Sequence, residues 1–135
     1  MILVDAGPLI AILYAGDAAH ARCVAALGRL RGPLLSSWPA FTEAMYLLGS
    51  VAGWRGQEPL WRLVARGTLE CADISPAMLK RMPVLMERYA DLPMDLADAS
   101  LVALAEERGT VRIFTLDHHF RVYRLPHNRP FDVIP

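Results

Sequence analysis

The sequence predicts an α/β fold: a mainly parallel central sheet of four or five strands flanked by helices. Short apolar runs with β-branched members alternate with longer stretches whose apolar residues recur at helical spacing, the pattern that crossover connections and a parallel sheet produce. Hydrophobic residues make up 54% of the chain and charged residues 21%, which excludes a disordered polypeptide and suits a sheet covered on both faces. At 135 residues the chain has the size of one domain, residues 1–135, and is expected to bury about two thirds of its unfolded surface in one core.

Each element has its own warrant. Ile2 to Val4 form a buried strand, ended by Asp5 and the turn residues Gly7 and Pro8, where the chain passes into a helix. Asp17 reads as the N-cap of a helix to about Leu30, because His20, Val24 and Leu27 share a face. Arg31, Gly32 and Pro33 break the chain before a second strand at Leu34 to Ser36. Pro39 opens a helix carrying Phe41, Met45, Leu48 and Val51 on one side, and a further helix is expected over Glu58 to Ala65. Gly67 precedes a third strand at Leu69 to Ile74. Ser75 and Pro76 read as cap and first residue of a helix to Tyr89, which Pro83 should kink or split. A helix from Asp95 to Arg108 closes on Gly109. Val111 to Leu116 is the clearest late strand, followed by Asp117, a short helix or turn, and an edge strand at Val133 to Ile134.

The totals narrow the function classes. Formal net charge is zero, so any nucleic-acid contact must come from a local patch. Of the 14 basic residues only Lys80 is a lysine; arginine suits bidentate contacts to phosphate, although a GC-rich genome yields the same bias. Cys23 and Cys71 lie far apart and outside any metal-ligand spacing, which argues against a disulfide scaffold and a zinc site. The apolar opening MILVDAGPLIAILYAGD is interrupted by Asp5 and has no basic segment before it. No signal peptide and no membrane span are therefore expected, and the chain is expected in the cytoplasm.

The acids carry the chemistry. Ligands of open α/β sheets bind beyond the carboxyl ends of the strands, where Asp5 and Asp117 are expected. Glu43 stands in the apolar helical stretch AFTEAMYLLG. Asp98 shares a helix face with Val102 and Ala105, and an unpaired carboxylate on a buried face costs several kcal/mol or more. Two carboxylates about 4 Å apart repel by roughly 4 kcal/mol at an effective dielectric near 20. A cluster of them persists by holding protons or a cation, and oxygen donors favour Mg²⁺ or Mn²⁺ and phosphodiester hydrolysis. Structural roles account for part of this pattern: Asp5 and Asp117 can each cap the turn or helix that begins after them, and Asp95 with Asp98 resembles an N-cap and its acidic N3 residue. Capping explains neither Glu43 nor the inward face of Asp98.

Four stretches, ILVDAGPLIAIL, AFTEAMYLLG, ADASLVALAEERG and IFTLDHHF, together resemble the PIN-domain ribonucleases, in particular the VapC-like toxins of bacterial and archaeal toxin–antitoxin systems. The resemblance covers nearly the whole chain in the right order. It implies a PIN-like fold, a Mg²⁺- or Mn²⁺-dependent endoribonuclease, a homodimer, an RNA substrate, and inhibition by a small antitoxin. It also implies that Asp5, Glu43, Asp98 and Asp117 form the catalytic, metal-holding quartet. Thr115 would place its hydroxyl near the metal or its water, and Asp95 would be a helix cap or an outer group. Ala6 stands where many relatives carry Thr or Ser, and His118 and His119 replace commoner acidic or polar residues.

Arg121, Arg124 and Arg129, with His118, His119 and His127, make the C-terminal third locally basic. This is either a phosphate-contacting rim, with Arg121, Arg124 and His118 touching RNA, or a solvated surface. Trp38, Trp54 and Trp61 can stack on bases, but tryptophans near apolar helices more often belong to cores or interfaces. Rival readings are a catalytically silent PIN module and a receiver-like Mg²⁺-binding signalling domain. The receiver needs paired acids after the first strand and a lysine after the last, and this chain has neither. A dehalogenase-like phosphatase needs an acid where Gly7 stands.

Overall fold

The computed structural model describes residues 1–135. Five strands form one parallel sheet: β1 (Ile2–Val4), β2 (Leu34–Ser37), β3 (Leu69–Ala72), β4 (Arg112–Phe114) and a fifth strand, Asp132–Ile134, in the order β3-β2-β1-β4 and then the fifth. Each strand is short because three or four residues suffice to cross a core capped on both faces. Side chains alternate across the sheet. Leu3, Leu35 and Ile113 therefore enter one apolar layer, with Leu101, Leu104, Met82 and Tyr123. Ile2, Val4, Leu34 and Phe114 enter the other, with Leu9, Phe41, Leu48 and Leu60. The single core expected from chain length is divided by the sheet into these two layers.

The helices are α1 (Ala6–Leu13), α2 (His20–Arg29), α3 (Trp38–Ala65), α4 (Pro76–Arg88) and α5 (Leu96–Arg108). Helix α2 begins two residues later than expected. Asp17 does not cap it: its carboxylate accepts from the Ala19 N–H at 2.8 Å, forming a local turn, and Ala19 is the N-cap. Such side-chain turns compete with helix entry.

The two helical stretches expected after β2 are the arms of α3, which break at Gly53 (φ 58°, ψ −150°). That positive φ reverses the chain without the cost a Cβ would impose. The second arm thus starts well before Glu58 and folds back, so that the Trp61 ring lies 5.1 Å from Phe41 and the Gln57 amide donates to the Met45 carbonyl at 3.2 Å.

Pro83 does not split α4, which runs unbroken from Pro76 to Arg88. Met78, Met82 and Leu85 anchor its inner face, while Pro83 and Leu79 are exposed, so the carbonyl that proline leaves without a donor faces water. Past β4, a one-turn helix (His118–Arg121) leads into a two-stranded antiparallel ribbon, β5 (Arg124–Leu125) with β6 (Arg129–Pro130), before the fifth sheet strand, β7. The ribbon was not expected: two-residue strands carry no readable alternation.

From β1 the chain moves outward through β2 to β3 and then returns to the other side of β1 for β4. The direction of winding changes between β1 and β4, the place where an open α/β sheet leaves a crevice at its carboxyl edge.

Candidate active site

Asp5 directly follows β1 and caps α1, its Oδ1 accepting from the Ala6 N–H at 2.8 Å. Its own N–H donates to the Phe114 carbonyl at 3.0 Å, which fixes it at the winding switch. Thr115, the residue after β4, donates its hydroxyl to Asp5 Oδ2 at 2.9 Å and accepts from the Asp117 N–H at 3.0 Å. One buried hydroxyl therefore ties together two acids 112 positions apart in sequence. Asp117 caps the one-turn helix, its Oδ1 accepting from the His119 N–H at 2.9 Å.

Asp95 caps α5 through the Asp98 N–H at 2.8 Å. This places Asp98 at the third helical position, where the side chain leans back toward the helix start. Asp98 is 6% exposed and Asp5 8%. The Tyr123 hydroxyl donates to Asp98 Oδ2 at 2.6 Å, a short bond that sets the carboxyl group's orientation. Glu43 comes from the first arm of α3, whose start is capped by Ser37. The Ser37 and Ser100 hydroxyls meet at 2.6 Å, and Ser100 also donates to the Ala97 carbonyl at 2.7 Å, which pins α5 against the entry to α3.

Asp5, Glu43, Asp95, Asp98 and Asp117 line one cleft of ≈ 280 Å³ with Ala6, Gly7 and Leu116. The structural and chemical readings of the acids hold together: Asp5, Asp95 and Asp117 each cap a helix and face the cleft. Burial raises the pKa of Asp5, which Asp117 and Asp95 push further up against the opposing hydrogen bonds from Ala6 and Thr115. Glu43 is raised by partial burial and then by Asp5, Asp95 and Asp117. Asp98 is pushed up to about 8, chiefly by burial, with Asp95, Asp5 and Asp117 adding and Tyr123 opposing. Three acids held back from ionisation by burial and by neighbouring carboxylates make a site suited to a divalent cation, and the all-oxygen set from Asp5, Glu43, Asp98 and Asp117 fits a hard one.

Tyr123 was not anticipated, and His119 was expected only as part of a basic rim. Tyr123 is fully buried between Tyr89 and Phe120, with ring centroids at 5.0 Å from each; six residues past Asp117, it carried no spacing signal. His119 offers a ring nitrogen that lies with carboxylate oxygens of Asp98 and Asp117 within 4.8 Å of one another; its place two residues after Asp117 was the available clue. His118 and Arg121 are exposed and do not line the cleft, and Arg124 lines a separate cavity with Arg81, Arg88 and His127. The Arg124 guanidinium is engaged through Nη1 by the Arg121, Val122 and Tyr123 carbonyls at 2.7, 3.1 and 3.0 Å. Trp38, Trp54 and Trp61 are all partly exposed along α3.

Residues 2–125 match the family model of the PIN domain. The chain is 28% identical over 135 residues to ribonuclease VapC26 of Mycobacterium tuberculosis, covering 99% of this chain and all of that protein. Its fold superimposes on VapC20 of M. tuberculosis, a sarcin–ricin-loop-cleaving toxin, with a TM-score of 0.80 at 17% identity, over 87% of this chain and 90% of the other. A toxin–antitoxin complex from Klebsiella pneumoniae contains a chain that matches with a TM-score of 0.64 at 20% identity, over 87% of each. With a parallel five-stranded sheet and acids gathered at its winding switch, the chain belongs to the PIN domain family.

Proposed function

We propose that residues 1–135 form a single PIN domain acting as a divalent-cation-dependent endoribonuclease, the toxin of a toxin–antitoxin pair. The observation that carries the reading is the cleft itself: four acids from four separate segments, Asp5, Glu43, Asp98 and Asp117, line it together. The likeness to ribonuclease VapC26 supports RNA as the substrate. The likeness to a toxin–antitoxin complex supports a small antitoxin as partner. No helix is long and apolar enough to cross a membrane, in keeping with work on RNA in the cytoplasm.

Asp5, Asp98 and Asp117 hold the cation, Mg²⁺ or Mn²⁺, with Glu43 completing the site. When bound, the ion supplies positive charge to the scissile phosphate and makes water a competent nucleophile near neutral pH. Thr115 ties the Asp5 carboxylate to the Asp117 backbone N–H through its hydroxyl. Tyr123 holds Asp98 in one rotamer. Glu43 is the most solvent-accessible member of the quartet and its pKa is raised, which suits its carboxylate to take a proton from the attacking water. Hydrolysis leaves a 5′-phosphate and a 3′-hydroxyl. Arg121, Arg124 and His118 border this site in sequence and contact the RNA backbone, and Asp95 acts as an outer group. The exposed apolar side chains of α3, among them Tyr46, Val51 and Trp54, form the surface for a second copy and the antitoxin.

The test is RNA cleavage with and without Mn²⁺. Asp98→Asn and Asp5→Asn should each lower the Mn²⁺-dependent rate by at least about 100-fold, with circular dichroism unchanged. Full cleavage by pure variants rules the assignment out and leaves a binding module as the better description.

A further inference from the structure

We propose that His119 is a direct ligand of the cation in this cleft, so that Asp98, Asp117 and His119 form a mixed oxygen–nitrogen subsite that prefers first-row transition-metal dications to Mg²⁺. The inference rests on the cation-dependent reading above and goes beyond its all-carboxylate quartet.

Geometry comes first. One ligand atom from each of the three side chains lies within 4.8 Å of the other two. Octahedral coordination at about 2.1 Å puts adjacent donors about 3 Å apart and opposite donors about 4.2 Å apart. The 3.4 Å separation of His119 Nδ1 from Asp117 Oδ1 falls between these two spacings, nearer that of adjacent positions. Only a small closure of the trio is required.

The placement of His119 is also built into the chain. Its N–H donates to Asp117 Oδ1, so the cap that starts the one-turn helix also aims the imidazole toward the acid. The ring lies 4.5 Å from that of His118 and 6.4 Å from that of Tyr123, and Tyr123 in turn holds Asp98. The single segment from Asp117 to Tyr123 therefore positions all three donors. Asp5 is not a member of the trio; its oxygens each accept one hydrogen bond, from Ala6 and from Thr115, and each keeps a lone pair with which Asp5 serves the cation as a further oxygen ligand.

Chemistry then sets the preference. Carboxylate and water donors suit Mg²⁺, whereas an imidazole nitrogen favours later transition ions. Replacing one oxygen donor by nitrogen shifts the balance away from Mg²⁺ without abolishing its binding.

Mn²⁺ is the probe for ligand identity, read by electron spin-echo envelope modulation on the intact chain. Wild type should show ¹⁴N modulation from one imidazole. His119→Asp should retain Mn²⁺ binding and lose the modulation, His119→Ala should bind about 10-fold more weakly, and His118→Ala should keep the modulation and the Mn²⁺ affinity of wild type. In equilibrium competition, the Co²⁺-to-Mg²⁺ affinity ratio should fall about 10-fold in His119→Asp. Mn²⁺ binding that depends on Asp98 but shows no nitrogen modulation, or modulation that survives in His119→Asp, overturns the inference and leaves the nuclease reading intact. If wild type binds no Mn²⁺, both fall together.

Discussion

Replacing Asp98 by asparagine should make the cation-free protein more stable at pH 8, even as it removes cleavage. In the folded chain this carboxyl is 6% exposed and its pKa is pushed up to about 8 from an unfolded value near 3.8. A raised folded value means that the folded state binds the proton more tightly than the unfolded one. The contribution is fully present below pH 3.8 and is lost as pH rises toward 8. A shift of some four units at 1.36 kcal/mol each sets a ceiling of roughly 5 kcal/mol. Water entering an open cleft and reorientation of the carboxylate reduce this to about 2 kcal/mol. Asparagine keeps an acceptor for the Tyr123 hydroxyl and carries no charge. For a chain of this size, about 2 kcal/mol corresponds to a rise of roughly 6 °C in Tm. The assay is thermal unfolding followed by circular dichroism, in EDTA, at pH 8 and at pH 5.5. Asp98→Asn should exceed wild type at pH 8, the gap should narrow at pH 5.5, and Mn²⁺ should raise the Tm of wild type more than that of the variant. If Asp98→Asn melts at or below wild type in EDTA at pH 8, burial of this carboxylate is not a stored cost and the electrostatic account of the site is wrong.

Thr115→Val should destabilise by about 2 kcal/mol, because it strips a donor from Asp5 and an acceptor from the Asp117 N–H inside the fold; chemical denaturation measures the loss, and Thr115→Ser should restore most of it. Tyr123→Phe removes the donor to Asp98 Oδ2 while keeping the ring packing, so Mn²⁺ affinity measured by calorimetry should fall roughly 10-fold. Gly109→Ala forces a Cβ into the left-handed C-cap of α5 at φ 65° and should cost about 1 kcal/mol in urea unfolding with cleavage unaffected.

Much of the fold was legible because strand and helix periods differ. The runs at Ile2–Val4, Leu34–Ser36 and Val111–Leu116 mark three sheet strands, and the parallel arrangement follows from the helices between them. Boundaries were less legible where a local turn competes with a helix, as at Asp17, or where tertiary anchoring overrides a breaker, as at Pro83. Of the candidate site, Asp5, Glu43, Asp98 and Asp117 do line one cleft, and Asp98 was marked by its company on an apolar helix face. Tyr123 was not foreseen, and His119 was read only as part of a basic rim, because their places in the site depend on where the segment after β4 turns, which the one-turn helix at His118–Arg121 and a ribbon of two-residue strands leave unwritten in any periodicity.

Three of the cleft's acids, Asp5, Asp95 and Asp117, also start helices, which couples mutational tolerance to chemistry in an uneven way. At these positions only asparagine or a hydroxyl residue can silence the reaction and still satisfy the backbone N–H. Glu43, which caps nothing, is under no such restriction. A descendant of this chain released from the need to hold a cation would thus lose its acids first at Glu43, to almost any residue, while positions 5, 95 and 117 drifted only to asparagine, serine or threonine.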